Sequence, residues 1–266
     1  MSYLRADIQA IWQQQDPLQA AFALEGEIFR DMPGRRTMRV QLGDGHYFVK
    51  LHYGVGWREV IKNWLQFKHP VIGAQNEFDA CRQLTDLGIT APRPAAFAKS
   101  AGSLASQRSF VLCDELVGYT TLEDLTEAWA QTPPDPQLRR RLLYAVAAFA
   151  RSFHGHGFIH RDFYICHLLV QNAALEEDRV ELAVLDLHRA SRFARIPDRW
   201  LKRDLAALLF STLHIPLSTR EQLRFLRLYT QRPLREELVA RGGFWRTVVE
   251  RARKLYAKDQ RKRAGT

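Results

Sequence analysis

Cysteine is scarce in this chain and scattered. Cys81, Cys113 and Cys166 are three, odd in number and far apart, so neither a disulfide framework nor a zinc-ligand spacing is available, and the usage fits a reducing compartment. Long apolar runs are also missing. The longest, Leu142 to Ala150, has nine residues, where crossing a bilayer takes about 20. Met1 to Trp12 carries Arg5 and Asp7 and lacks the apolar centre of a signal peptide. The expectation is a soluble, cytoplasmic protein. No internal repeat, low-complexity segment or Gly/Ser linker occurs. Acid is in short supply: 39 Lys and Arg face 29 Asp and Glu, for a net charge of +10. Between Arg246 and Thr266 eight residues are basic and two acidic. A basic surface implies an anionic partner, such as a nucleotide, a nucleic acid, an acidic glycolipid or an acidic protein. No recognised nucleic-acid motif supports the second of these, and none is expected as a partner.

With 266 residues, 46% of them hydrophobic and 26% charged, the chain can bury a substantial core as one large domain or two lobes sharing a cleft. Its chemistry centres on His160-Arg161-Asp162-Phe163-Tyr164-Ile165-Cys166-His167, followed by Leu168-Leu169-Val170. Asp186 lies 24 residues beyond Asp162, in the strand-like Leu182-Ala183-Val184-Leu185-Asp186-Leu187. A His-Arg-Asp loop, a short strand, a turn, a second strand and an aspartate form the phosphoryl-transfer centre of protein kinases. One carboxylate must take the proton of the acceptor hydroxyl. Another must hold a magnesium ion against charge spreading over the phosphate oxygens. Asp162 is the candidate for the first role and Asp186 for the second.

Three expected parts are absent. No Gly-x-Gly-x-x-Gly loop precedes the centre. The asparagine that protein kinases place five residues after the catalytic aspartate is His167, whose imidazole suits softer metals than magnesium. Asp186-Leu187-His188 stands where Asp-Phe-Gly is usual. His167 therefore has two readings, a metal contact or an orienting group for Asp162 or Asp186.

The flanking chain supplies further candidates. Residues 1–24 read as an amphipathic lead-in with Ile8, Ile11 and Trp12 on one side. Ile28-Phe29-Arg30, Met38 to Leu42 and Tyr47 to Leu51 alternate as antiparallel strands, the last carrying Lys50. In a kinase arrangement Lys50 clamps nucleotide phosphates, with Arg35 and Arg36 serving in place of the missing glycines; alone, Lys50 reads equally as a snorkelling strand lysine. His52 to His69 is a basic, aromatic insert with Trp57, Val60, Ile61, Trp64 and Leu65 at helical spacing, suited to the small lobe, a membrane interface or an acidic partner. A helix over 73–87 carries Glu77, either the partner of Lys50 or a solvent-facing carboxylate. Ser109 to Cys113 reads as a strand, and Asp114-Glu115-Leu116 as a hinge whose backbone meets adenine. A long helix marked by Leu138, Leu142, Val146, Phe149 and Phe153 leads to the His160 loop, with His160 as a structural support. A helix over 200–213 carries Asp204, a brace for that loop or an acid favoured by the helix dipole. Further helices are expected from about Thr219 to Tyr229 and from Phe244 to Lys258.

His-Arg-Asp-Phe-Tyr-Ile-Cys-His with Asp-Leu-His-Arg-Ala downstream resembles the bacterial lipopolysaccharide core heptose kinases, and the heptose(I) kinase in particular. The resemblance runs from Phe29 through Arg36 and Lys50 to Pro233-Leu234-Arg235-Glu236. It implies an α+β, protein-kinase-like two-lobed fold. The β-rich lobe is expected over 1–113, with the insert near 52–72, and the helical lobe over 114–266, with the catalytic loop at 160–167 and the metal-binding Asp186. It also implies ATP and magnesium, with phosphoryl transfer to an inner-core heptose hydroxyl at the cytoplasmic face of the inner membrane. The expected partners are ATP, the core oligosaccharide acceptor, and a peripheral contact with the membrane or an acidic protein such as acyl carrier protein. Another inner-core sugar kinase, a protein kinase and a non-catalytic glycolipid-binding module are the competing readings.

Overall fold

The alternation between Glu27 and Leu51 is realised as an antiparallel meander. The computed structural model describes residues 1–54, 73–102 and 106–264. Met1–Val117 and Asp186–Arg189 form one unit, and Gly118–Leu185 with Ala190–Thr266 form another. The first unit contains β1 (Ser2–Leu4), α1 (Ala6–Trp12), α2 (Pro17–Phe22), β2 (Glu27–Met32), β3 (Arg35–Leu42), β4 (Gly45–His52), α3 (Gln75–Asp86), β5 (Pro94–Lys99) and β6 (Ser109–Asp114). Its strands make one six-stranded sheet in the order β1-β5-β6-β4-β3-β2, with every pair antiparallel.

Period-two burial explains how this sheet presents a functional side chain. Met38 and Val40 on β3 and Tyr47, Val49 and Leu51 on β4 are buried, packing with Ile8, Trp12, Ala20, Ala21, Phe110 and Leu112. Lys50 lies between two of those core residues in sequence, so the pleat sends it to the opposite face. The lead-in opens on a strand that its apolar pattern did not indicate. Ser2–Leu4 is an edge strand, with Ser2 opposite Ala98, and α1 buries Ile8 and Trp12 but leaves Ile11 39% exposed. Three residues are too few to show a period, and their pairing is set some ninety positions away. The aromatic insert, with Trp57, Arg58, Val60, Ile61, Lys62, Trp64, Leu65 and Lys68, lies almost wholly in 55–72, outside the described residues.

The second unit contains β7 (Tyr119–Thr121), α4 (Leu122–Thr126), α5 (Pro136–Gly155), β8 (Phe158–Ile159), β9 (Leu168–Gln171), α6 (Asn172–Glu176), β10 (Leu182–Val184), β11 (Ser191–Arg192), α7 (Asp198–Ser211), α8 (Thr219–Thr230) and α9 (Leu234–Ala264). Helices α4, α5 and α8 begin with side-chain caps from Thr121, Asp135 and Ser218, each accepting from a backbone N–H of the first turn, which satisfies donors that a helix start otherwise leaves open. Between α5 and β8, Gly157 has φ of +85°, and a Cβ there would meet the Phe193 carbonyl oxygen at 2.1 Å. Only glycine fits that close approach. Helix α9 is two helical stretches that meet at a kink at Arg241, next to Gly242-Gly243, where helix propensity is lowest short of proline; the stretch past the kink is the helix expected from Phe244, and the stretch ahead of it is an addition. Among the described residues no helix is long and apolar enough to cross a membrane.

Candidate active site

In the first unit, β4 and α3 bring an ammonium and a carboxylate together. Lys50 Nζ donates to Glu77 Oε1 at 2.6 Å and to Asp186 Oδ1 at 2.7 Å. Burial favours the neutral amine, but the charges of Glu77 and Asp186 outweigh it and hold the Lys50 pKa above its ordinary value, so the group stays cationic. Asp186 is the mirror case. Burial favours the neutral acid, yet a hydrogen bond from His188 and the charge of Lys50 hold its carboxyl well below the usual range. One ammonium between two carboxylates suits a site that receives a nucleotide's phosphates and a cation together.

His188 is the member that residue patterns alone did not single out as functional. Its Nδ1 donates to Asp186 Oδ1 at 2.8 Å, and Asn76 Nδ2 on α3 donates to the His188 carbonyl at 2.9 Å. Asp186 itself has φ of +58°, a left-handed conformation that a non-glycine residue holds only when its surroundings fix it. Its signal in the sequence was the departure from Asp-Phe-Gly.

The other expected nucleotide residues of this unit are dispersed in their contacts. Arg36 pairs with Asp31 at 2.7 Å. Arg35 acts on His52, a buried imidazole lowered to about 3 by burial first and then by the charges of Arg35, Lys50 and His188. The Glu115 side chain takes Arg39 at 2.9 Å, and its amide donates to the His46 carbonyl at 3.0 Å. Both are thus engaged within the unit. The Leu116 amide has no hydrogen-bond partner among the described residues.

In the second unit, the His160 loop is pinned at several points. Asp204 on α7, fully buried, accepts from the backbone N–H of His160 at 2.6 Å and of Arg161 at 2.8 Å. His160 is also fully buried, and its Nε2 donates to the Leu185 carbonyl at 2.7 Å; a carbonyl only accepts, which fixes the tautomer. His167 stacks on His160 with ring centroids 5.3 Å apart. Its Nδ1 donates to the Asp162 carbonyl at 2.7 Å, so the imidazole holds the backbone of the candidate base. Arg161, with φ of +71°, lies over the Trp200 ring at 4.6 Å. Arg203, also unnoticed in the sequence, donates to the Arg161 carbonyl at 3.0 Å and brings Nη2 to 3.6 Å from Asp162 Oδ1.

Magnesium fits this donor set through Asp186. Among the described residues no three His, Cys, Asp or Glu side chains are grouped to cage a metal. Magnesium commonly relies on one or two carboxylates, substrate phosphates and water, and Asp186 meets that requirement.

Three comparisons accord with this geometry. The lipopolysaccharide kinase (Kdo/WaaP) family matches residues 19–229. Lipopolysaccharide core heptose(I) kinase WaaP of Pseudomonas aeruginosa is 41% identical over 97% of both chains. Its namesake from Escherichia coli is 35% identical over 98% of this chain and 99% of its own. Among solved structures, WaaP in complex with acyl carrier protein superposes with a TM-score of 0.84 at 36% identity, covering 96% of this chain and 99% of that one. The BubR1 kinase domain superposes with a TM-score of 0.50 at 11% identity, covering 87% and 83%, a likeness of fold alone.

Proposed function

Because this chain belongs to the lipopolysaccharide kinase (Kdo/WaaP) family, we infer that it transfers the γ-phosphoryl group of ATP to a heptose hydroxyl of the lipopolysaccharide inner core. The observation that carries this reading is the Lys50–Glu77–Asp186 set in one unit together with the pinned Asp162 loop in the other. Each supplies one half of the chemistry. Lys50, kept charged by its two carboxylates, binds phosphate oxygens, and the Leu116 amide is suited to the adenine edge. Asp186 would hold magnesium, which when bound neutralises charge on the phosphates. Asp162 orients the heptose hydroxyl and accepts its proton as the oxygen bonds to phosphorus and ADP leaves. His167 acts by fixing the Asp162 backbone.

The acidic partner we propose is an acyl carrier protein, as in the solved relative. The exposed basic residues of α9 supply complementary charge. An apolar cavity of about 490 Å³ in the helical unit, lined by Leu142, Leu205, Leu208, Phe225 and Trp245, matches an alkyl chain in chemistry. We place the enzyme's action at the cytoplasmic face of the inner membrane, held there peripherally.

The test is to incubate the protein with ATP, magnesium and a dephosphorylated core acceptor and to weigh the product. Wild-type protein adds one phosphate mass. Asp162→Asn is expected to keep ATP binding and to lose turnover by on the order of 10²–10⁴; full turnover in that variant overturns the assignment of the base.

A further inference from the structure

The second unit carries a groove that phosphoryl transfer, as described, does not use. Its volume is about 830 Å³, and its lining includes Tyr144 of α5, Arg224 and Arg227 of α8, and Arg232, Leu234 and Arg235 around the start of α9. No Asp or Glu is among the lining residues. Arg232 comes within 3.9 Å of the buried Glu237. Arg224, Arg227 and Arg235 have no ion-pair partner among the described residues.

Like charges gathered together disfavour the folded chain, so a concavity with four guanidinium groups, three of them without an ion-pair partner among the described residues, is best explained by an anion that occupies it. The choice of arginine narrows the anion. A planar fork of donors matches carboxylate and phosphate oxygens in pairs, which a lysine cannot do. Tyr144, 47% exposed, gives the wall an aromatic face and a hydroxyl, the combination that suits a sugar ring. A bilayer surface would call for a flat or convex basic face, whereas this one is recessed.

We propose that the groove is a subsite for the anionic sugars of the acceptor, gripping phosphate or carboxylate groups of a charged saccharide away from the hydroxyl that is phosphorylated. This rests on the heptose-kinase reading. The groove fixes which acceptor is held, and the loop at Asp162 does the chemistry.

The experiment uses the full chain and its triple variant Arg224→Gln, Arg227→Gln, Arg235→Gln. Each is titrated calorimetrically at low salt with a delipidated inner-core oligosaccharide that keeps its carboxylates, and each is assayed at steady state. The variant is expected to bind the saccharide roughly tenfold more weakly or worse, because bonds between charged groups are being removed. Its acceptor KM rises correspondingly, while kcat and the KM for ATP stay unchanged, which also reports intact folding. The matching triple Lys variant recovers part of the affinity. Unaltered binding and acceptor KM overturn the proposal, as does loss of acyl carrier protein binding with saccharide binding intact. If wild-type protein binds the saccharide through these arginines but never phosphorylates it, the heptose-kinase reading fails and the subsite stands. If it turns the saccharide over and the triple Gln variant matches it, the subsite fails and the reading stands.

Discussion

At the residue scale, His188 shows how a departure from a familiar motif is put to use. Where Asp-Phe-Gly would leave the aspartate to the backbone, here an imidazole donates to Asp186 Oδ1 and is itself held by Asn76. Groups that orient a metal-binding carboxylate typically matter by 10- to 100-fold. His188→Leu is therefore expected to lower kcat by on the order of 10- to 100-fold and to raise the magnesium concentration needed for half-maximal rate. His188→Gln, which keeps a donor, should recover part of both. Rate profiles against magnesium at saturating ATP would check this, and a His188→Leu profile that overlays wild type would refute it. Lys50, Asp162 and Asp186 could be picked out as candidates in the sequence because the patterns that carry them are local. The roles of His188 and Arg203 could not, because each depends on which way a neighbouring backbone turns: Asp186 at φ +58° and Arg161 at φ +71°.

At the scale of elements, α8 depends on one carboxylate doing two jobs. Glu221 accepts from the Ser218 N–H at 2.8 Å in a capping box, and it forms a buttressing ion pair with Arg139 of α5. Burial raises the Glu221 pKa, but the bonds from Arg139 and Ser218 prevail and bring it from 4.5 to about 2. A carboxyl depressed in the folded state stabilises the fold above its unfolded pKa, and that contribution is lost as pH falls through the folded value. Glu221→Gln keeps an acceptor for the capping box but gives up the charge facing Arg139, and should cost up to about 1 kcal/mol at neutral pH. The gap from wild type should close between about pH 4.5 and 2. Urea unfolding of both proteins across that range measures it, and parallel curves would contradict the account. The helix itself was expected from about Thr219, where it begins. Strand β1 was not, since its partner lies on β5. The stretch of α9 ahead of Arg241 was not read either, because Gly242-Gly243 argues against helix and the backbone does kink there, while the stretch past the kink packs Phe244 and Val248 against α7.

For the whole molecule, charge bears on how the chain would meet an acceptor carried by lipid. Arg251, Arg253, Lys254 and Lys258 are exposed on α9, and each basic residue near an anionic membrane contributes about 1 kcal/mol, an attraction that salt screens. Neutralising the four should weaken capture of a lipid-linked acceptor at low salt, leave a delipidated acceptor unaffected and leave the KM for ATP nearly unchanged. Kinetics on both acceptors at low and high salt would test this; an unaltered constant for the lipid-linked acceptor at low salt would refute it. The same molecule carries a hazard of its own at the far end of the six-stranded sheet. Among the described residues strand β2 pairs with β3 alone, and it exposes Ile28 at 52%, Phe29 at 58% and Met32 at 47%. An open strand edge with such side chains is a template on which another copy can add. Glu27, Arg30 and Asp31, set between the apolar residues, place charge along that edge. Three residues remote from the chemistry by role thus set how far the protein can be concentrated before copies begin to stack strand upon strand.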